Sequence, residues 1–132
     1  MKTSRQSLGR WGEDIAADYL SRLGYEIIAR NVRTSYGEID LVTRQSVDHQ
    51  TIDPLIVTVF VEVKTRTSRL FGAPEEAITH RKQQHMLTAA QSYIQQHPEI
   101  TGHWRIDVIA IERQSSIATP IITHFENALN GN

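Results

Sequence analysis

The stretch from Leu55 to Thr65 constrains the fold more than any other feature of the sequence, because it is the most apolar segment of the chain. Valine occupies every odd position from 57 to 63, and the even positions from 58 onward read threonine, phenylalanine, glutamate and lysine. Side chains alternate between the two faces of a strand, so this pattern predicts a central strand that is covered on both faces over its first half. At its far end this strand carries two charged side chains, Glu62 and Lys64, on one face.

The segments around this strand predict helices and further strands. From Ser7 to Leu23 apolar residues recur at short intervals, which is typical of a helix with one buried face. The elements predicted in chain order are a helix over Ser7–Leu23, strands over Tyr25–Arg33, Glu38–Arg44 and Leu55–Thr65, a helix over His80–Gln96 after an N-cap at Thr79, a strand over Trp104–Ile111 and a last short strand within Ile117–Phe125. We therefore expect an α/β fold in which helices pack on a mixed β-sheet.

The size and composition of the chain are those of one ordinary globular domain. Its 132 residues can bury a core without disulfides or a structural metal, and no repeat or change of composition divides it, so we expect a single domain over residues 1–132. The absence of cysteine excludes a disulfide scaffold, a cysteine-ligated zinc site, an iron–sulfur cluster and a thiol nucleophile. Neither a signal peptide nor a run of roughly 20 apolar residues is readable, so we expect a cytoplasmic protein without membrane contact.

The overall charge does not by itself indicate a nucleic-acid-binding protein, since 14 basic residues against 15 acidic ones give a net charge of -1. The distribution is less even than the total. From Lys64 to Lys82 the chain holds five basic residues and two acidic ones. Such a run is most often a solvated surface, so it favours an acidic partner only weakly.

A group of charged side chains is predicted at one end of the sheet. Asp40 lies in the second predicted strand, and a hairpin between this strand and the next brings Asp40 beside Glu62. Two adjacent carboxylates repel each other, and a bound cation would remove that repulsion. Mg²⁺ is the natural candidate, because it binds one or two carboxylates together with water and phosphate oxygens. Lys64 beside such a cation could hold an attacking water or offset the charge that develops on phosphorus during phosphodiester hydrolysis.

The same residues also fit a purely structural alternative. Asp40, Glu62 and Lys64 could form a cross-strand cluster of salt bridges at the end of the sheet, worth less than about 1 kcal/mol. Spacing alone favours this alternative. Glu13 lies at the border of the buried stripe of the first helix, and an acidic residue early in a helix is stabilised by the helix dipole without any further role.

Other catalytic chemistries have weaker support in the sequence. His80 and His85 are five residues apart, which does not place them on one helix face as a zinc pair requires, so solvated side chains are expected. No serine lies in a G-x-S-x-G elbow, and no glycine-rich phosphate loop indicates a nucleotide cofactor. The aromatic residues Trp11, Tyr36 and Trp104 are scattered over separate elements and are expected in the core or at its rim.

A family resemblance rests on three motifs. They are Gly12-Glu13, Gly37-Glu38-Ile39-Asp40 and the segment from Val59 to Arg66. Further segments match the same pattern in order, namely Leu23-Gly24-Tyr25, Ala29-Arg30-Asn31, Phe71-Gly72, Arg81-Lys82, Ala89-Ala90, Arg105-Ile106-Asp107-Val108 and His124-Phe125-Glu126-Asn127-Ala128. Together they resemble the YraN family of uncharacterised bacterial proteins, which is similar to the PD-(D/E)XK nucleases. The resemblance covers nearly the whole chain.

The resemblance implies a restriction endonuclease-like core with a mixed central β-sheet flanked by helices in the order αβββαβ, close in layout to the archaeal Holliday-junction resolvases. In the family's pattern Asp40 corresponds to the metal-binding aspartate, Glu62 to the glutamate of the ExK motif, Lys64 to its lysine and Glu13 to the acid of the first helix. These four residues are therefore the expected catalytic residues. Asp40, Glu62 and Glu13 are the expected ligands of Mg²⁺ or Mn²⁺.

The chain departs from the pattern in two places. Ile39 stands where the motif's name has a proline, and the connection from Gln45 to Pro54 is longer than the turn usual in the family. We expect this insertion at the tip of the hairpin, away from the metal end, where it changes contacts but not chemistry.

We therefore predict a Mg²⁺- or Mn²⁺-dependent endonuclease that hydrolyses phosphodiester bonds in DNA and prefers branched, flapped or single-stranded structures to a particular sequence. Arg66, Arg81 and Lys82 are expected to contact phosphates. The alternative is a non-catalytic module that keeps the fold and binds nucleic acid or a protein partner. Metal binding separates the two, since a binding module needs no cation between Asp40 and Glu62.

Overall fold

The described part of the chain forms two helices and five strands. The computed structural model describes residues 4–47, 55–67, 78–115 and 118–129. In chain order the elements are α1 (Ser4–Arg22), β1 (Glu26–Thr34), β2 (Gly37–Val47), β3 (Leu55–Arg66), α2 (His80–Gln96), β4 (His103–Glu112) and β5 (Ile121–Phe125). Every predicted element is present, and neither described helix is both long and apolar enough to cross a membrane.

The boundaries of the elements follow the predictions to within a few residues. The prediction for α2 is confirmed from end to end, and the side chain of Thr79 caps it by accepting a hydrogen bond from the backbone N of Lys82 at 3.1 Å. α1 begins at Ser4, earlier than predicted, because no helix-breaking residue precedes the amphipathic segment. β5 begins at Ile121, and Ile117 lies outside the described residues.

The five strands form one mixed sheet in the order β1-β2-β3-β4-β5. β3 and β4 run parallel, whereas the other neighbouring strands pair antiparallel. The chain between the two parallel strands contains α2, since parallel neighbours cannot be joined by a tight turn. The fold is therefore α/β with a mixed central sheet and flanking helices, as the sequence predicts.

β3 is the middle strand of the sheet and is buried on both faces over its first half. Val57, Val59 and Val61 pack into the hydrophobic cluster that α1 covers. Phe60 faces the opposite way and packs with Tyr93 and other residues of α2. Because a shift of one residue would exchange these two faces, the double burial fixes the register of β3 and the positions of the charged residues at its end.

The pairing of β2 with β3 shows where the long connection lies. At one end the last paired residues are Val47 and Leu55, and the connection leaves the hairpin there. At the other end the last paired residues are Leu41 and Val61, next to Asp40. The insertion therefore leaves the hairpin at the end opposite Asp40, as expected, while residues 48–54 themselves lie outside the described part of the chain.

α1 crosses the end of β3 at Gly12. A Cβ atom at this position would collide with the side chain of Thr65, so a glycine is needed for helix and strand to approach this closely. Glu13 follows directly in the chain. The close contact therefore sets the distance between Glu13 and the end of β3.

A buried polar network joins β4, β5 and α1. Asp107 is fully buried and accepts hydrogen bonds from Nε of Arg105 and from the backbone N of Asn127, both at 2.9 Å. His124 Nε2 lies 2.7 Å from the second carboxylate oxygen, and its Nδ1 lies 3.1 Å from the hydroxyl of Tyr19. Burial raises the pKa of Asp107, but the hydrogen bonds from His124 and Arg105 outweigh burial and hold the pKa below its ordinary value. An ionised carboxylate thus ties the edge strand β5 to the rest of the fold.

Candidate active site

Asp40 and Glu62 lie side by side where the pairing of β2 and β3 ends, one position beyond the last paired residues. The backbone N of Val63 donates a hydrogen bond to Oδ2 of Asp40 at 2.8 Å, which holds this carboxyl group across the end of the hairpin. Glu62 is only 9% exposed, and its side chain is hydrogen-bonded to that of Asp40. The structure therefore brings together the two carboxyl groups that the strand alternation places side by side.

The surroundings of Asp40 favour its neutral form. Burial raises the pKa of this carboxyl group most and the negative charge of Glu62 raises it further, so that the pKa reaches about 8 despite the hydrogen bond from Val63. Glu13 adds a smaller effect in the same direction. Without a cation, burial and the neighbouring Glu62 therefore favour the protonated form of Asp40.

Two lysines converge on one oxygen of Glu62. Nζ of Lys82 lies 2.9 Å from Oε1, and Nζ of Lys64 lies 3.4 Å from the same atom. Burial and the neighbouring Lys82 lower the pKa of Lys64. Burial also opposes the charge of Lys82, but its hydrogen bonds to Lys64 and Glu62 raise its pKa above the ordinary value. Lys82 is therefore the more persistent cation, and Lys64 is the lysine that gives up its proton more readily.

Glu13 borders this pair of carboxyl groups without joining it. It lines the same cavity as Asp40 and Glu62, and its side chain is hydrogen-bonded to Asn31, a residue of β1 in the left-handed conformation with φ of 52°. Burial raises the pKa of Glu13, and the hydrogen bond to Asn31 opposes this shift. Among the described residues, no group of three or more histidine, aspartate and glutamate side chains is arranged to hold a metal ion. Glu13, the expected third ligand, thus does not complete such a group with Asp40 and Glu62.

The donor set of Asp40 and Glu62 fits a small, hard divalent cation. Mg²⁺ prefers oxygen ligands and is usually held by one or two carboxylates, with waters and phosphate oxygens in the remaining positions. Mn²⁺ accepts the same kinds of ligand. The raised pKa of Asp40 indicates that the two lysines beside Glu62 do not suffice to keep both carboxyl groups ionised. A cation between the two groups would allow both to ionise.

Asp40 and Glu62 lie at the junction of two cavities. The α1-side cavity, of about 690 Å³, is lined by basic residues that include Arg5 and Arg66. The α2-side cavity, of about 450 Å³, has Arg81 in its wall. Two of the residues expected to contact phosphates, Arg66 and Arg81, therefore lie on either side of the carboxyl pair.

Lys82 makes a contact that the sequence does not predict. Its ammonium lies against Glu62 inside the charged cluster, and its phosphate contact stays a prediction. The sequence does not show this contact, because the rotation of α2 about its axis is set by the packing of Tyr93 against Phe60. Arg5 was also missed, since it lies outside every motif, and only its place in the α1-side cavity connects it with the site.

The two histidines and the two tryptophans lie where the sequence predicts them, whereas Tyr36, expected in the core or at its rim, does not. His80 and His85 are exposed on α2. Trp11 and Trp104 are partly buried against the hydrophobic clusters. Tyr36 is 54% exposed and lies at the α2-side cavity.

The fold and the site together define a class of protein. It is an α/β protein with a five-stranded mixed sheet and two described helices, compatible with a restriction endonuclease-like core, and acidic and basic side chains meet where its central strand ends. The profile of the uncharacterised protein family UPF0102, which is the YraN family that the motifs indicate, matches residues 12–111. The chain belongs to this family.

Curated relatives from several bacteria match nearly the whole chain. A UPF0102 protein of Syntrophotalea carbinolica is 43% identical over 130 residues, which cover 98% of this chain and 97% of the relative. A UPF0102 protein of Geobacter metallireducens is 41% identical over 128 residues, covering 97% and 96%. One from Desulforamulus reducens is 35% identical over 130 residues, covering 98% and 100%. The similarity therefore spans the elements from α1 to β5.

Proposed function

We propose that this protein is a divalent-metal-dependent endonuclease that hydrolyses phosphodiester bonds in DNA. The observation that carries the proposal is the pair of Asp40 and Glu62 at the end of β3, with two lysines on one oxygen of Glu62. Such a cluster adds little to stability, because taking charges out of water costs about as much as their pairing returns. A cation and a phosphate are the ligands that would satisfy its carboxylates and its lysines together.

Asp40 and Glu62 are the residues that would hold Mg²⁺ or Mn²⁺. The bound cation supplies a Lewis acid that polarises the phosphate and acidifies a water molecule. For both carboxylates to bind it, Asp40 must release its proton and Glu62 must give up part of its contact with Lys82. Protons, the ammonium of Lys82 and an external cation therefore compete for the two carboxylates.

The lysines and Glu13 divide the remaining tasks. Lys64, whose pKa is lowered, is suited to hold the attacking water and to accept a proton at Nζ. Lys82 keeps its charge and is suited to offset the negative charge that develops on the phosphorane. Glu13 can orient a water from the wall of the α1-side cavity.

Arg66 and Arg81 are proposed to contact phosphates on the two sides of the reacting bond. A net charge of -1 leaves few cations for a regular duplex, so we expect a modest salt dependence, with a slope in log K against log salt of about −2 to −4. Binding of this kind favours DNA that is branched, flapped or single-stranded, because such DNA deforms at lower cost to fit the cavities.

A non-catalytic module that binds nucleic acid or a protein partner is the second candidate. One observation favours it. Lys64 and Lys82 already counter the charge of Glu62 without a metal. A module of this kind would bind its partner with or without a divalent cation.

Cleavage of a set of DNAs in Mn²⁺ tests the proposal. The proteins compared are the wild type, Glu62→Gln and the control Glu26→Gln. Each is incubated with branched, flapped, single-stranded and duplex DNA and with an RNA strand. Glu26 is also a strand glutamate in an ion pair, with Arg44 at 3.5 Å, but it lies at the end of β1 far from the β1–β2 turn.

Nicking by the wild type and by Glu26→Gln is expected. Glu62→Gln should lose nicking while it stays folded, with a Tm close to that of the wild type, because it removes a charge without leaving a cavity. Nicking that persists in purified Glu62→Gln, or no cleavage of any substrate by the wild type, would contradict the proposal.

A further inference from the structure

The α2-side cavity contains features that metal binding and phosphate contacts do not use. Besides Asp40, Glu62 and Arg81, the residues that line it include an aromatic one, Tyr36, and an apolar one, Met86. Small-molecule sites commonly combine apolar and aromatic walls with a few charged groups, and this cavity of about 450 Å³ lies in their usual range of size. The combination suits a nucleotide, which has a charged phosphate at one end and an apolar, flat base at the other.

Tyr36 is held in place by its own turn, although its ring is free of the core. Its backbone N donates a hydrogen bond to Oγ1 of Thr34 at 3.1 Å, and the same hydroxyl donates to the carbonyl of Gly37 at 2.8 Å. Gly37 has φ of 135°, a conformation that favours glycine. The turn is therefore well ordered, yet 54% of Tyr36 is exposed. An exposed aromatic residue therefore lies at the cavity on a hydrogen-bonded turn.

The α1-side cavity provides a contrast within the same molecule. Its wall carries Arg5, Lys64 and Arg66, and no aromatic residue lines it among the residues that the structure describes. Cations without aromatic partners suit the sugar–phosphate backbone alone, whereas stacking on an aromatic ring requires a base. The two sides of the carboxyl pair therefore differ in the part of a nucleic-acid strand that they can bind.

We propose that the α2-side cavity is a nucleobase subsite, in which Tyr36 stacks on the base of a nucleotide next to the scissile phosphate; this inference rests on the proposed nuclease function of the adjacent carboxyl pair. A paired base is stacked inside a duplex and reaches such a cavity only by flipping out. The substrate is therefore a single strand, or an unpaired nucleotide at a junction or flap. The phosphates on the other side of the scissile bond bind along the α1-side cavity.

Equilibrium binding in Ca²⁺ tests the subsite without turnover. The probes are a short fluorescent oligothymidylate and a sugar–phosphate strand of the same length and charge that carries no bases. The variants are Tyr36→Ala, Tyr36→Phe and the control Leu23→Ala, which removes an equally exposed apolar side chain (56%) next to the opposite end of β1.

The wild type should bind the strand with bases roughly 5- to 150-fold more tightly than the base-free strand, the range measured for stacking of a base on an aromatic residue. Tyr36→Phe and Leu23→Ala should keep this preference, and Tyr36→Ala should lose it while still binding both strands weakly. Equal affinity of the wild type for the two strands, or a preference that survives in Tyr36→Ala, would overturn the subsite.

Cleavage in Mn²⁺ separates this inference from the proposed function. Cleavage of both strands at the same rate would overturn the subsite and support the nuclease. A preference for bases that depends on Tyr36, without cleavage of any strand, would support the subsite and overturn the enzymatic proposal.

Discussion

Asp40 makes the stability of the protein depend on pH. In the unfolded chain its pKa is near the ordinary 3.8, whereas burial and Glu62 raise it to about 8 in the fold. Between these values the folded state binds the proton more tightly, so the favourable contribution is fully present below about pH 4 and is lost as the pH rises through about 8. With a metal chelator present, the free energy of unfolding should fall between about pH 4 and pH 8 by an amount on the order of a few kcal/mol.

Asp40→Asn isolates this effect, because the amide resembles the protonated carboxyl group at every pH. Urea unfolding of the wild type and the variant is compared across that pH range. The difference in stability should move in favour of Asp40→Asn as the pH rises. A constant difference between the two proteins would show that the fold does not raise the pKa of Asp40.

Lys82 and a divalent cation should compete for Glu62. The ammonium lies 2.9 Å from Oε1, and its positive charge also opposes the approach of a second cation. Lys82→Gln should therefore bind Mn²⁺ more tightly, by roughly 3- to 10-fold for one nearby charge. Arg44→Gln, which breaks the surface pair with Glu26, is the matched control and should leave the affinity unchanged. Unchanged or weaker binding by Lys82→Gln would contradict the competition.

The individual site residues differ in how far the sequence could predict them. Asp40, Glu62 and Lys64 were predictable because strand alternation and hairpin pairing act over a few residues. The contact of Lys82 with Glu62 was not predictable, since it depends on how α2 packs against the sheet. The hydrogen bond between Glu13 and Asn31 likewise requires a left-handed residue within a strand, which no alternation pattern indicates.

At the level of the elements, the contact of α1 with β3 should be sensitive to a single methyl group. Gly12→Ala introduces a Cβ that collides with Thr65, so we expect a loss of about 1–3 kcal/mol in the free energy of unfolding, typical of overpacking. Gly9→Ala in the same helix meets no atom within 4 Å and should instead stabilise by about 0.5–1 kcal/mol through helix propensity. Thermal and urea unfolding measure both variants. Equal effects of the two substitutions would contradict the close approach at Gly12.

The boundaries of the elements were predictable where the sequence contains a stop or a cap. α2 follows its prediction because Thr79 caps its first turn and Pro98 prevents its continuation. α1 extends further than predicted because its apolar stripe begins after the helix itself does. β5 is shorter than the segment considered for it, since alternation over a few residues marks a strand without marking its start.

For the whole molecule, the sequence predicted the α/β class and the mixed sheet, while the strand order required the structure. Local alternation identifies strands but does not say which of them are neighbours; the parallel pairing of β3 with β4 follows from the return of the chain through α2. This pairing leaves β3 in the centre, where its apolar residues are covered on both faces. The carboxyl pair consequently lies at the end of the most buried strand, between two cavities.

The proposed metal site is tested most directly by the binding of Mn²⁺ to the wild type and to Asp40→Asn. Binding is measured by calorimetric titration near neutral pH, in two buffers of different ionisation enthalpy. We predict saturable binding by the wild type with release of about one proton per cation at about pH 7, because Asp40 must ionise to become a ligand. Asp40→Asn should bind far more weakly and release no proton. No binding by the wild type, or binding of equal strength by Asp40→Asn, would contradict a metal centre formed by Asp40 and Glu62.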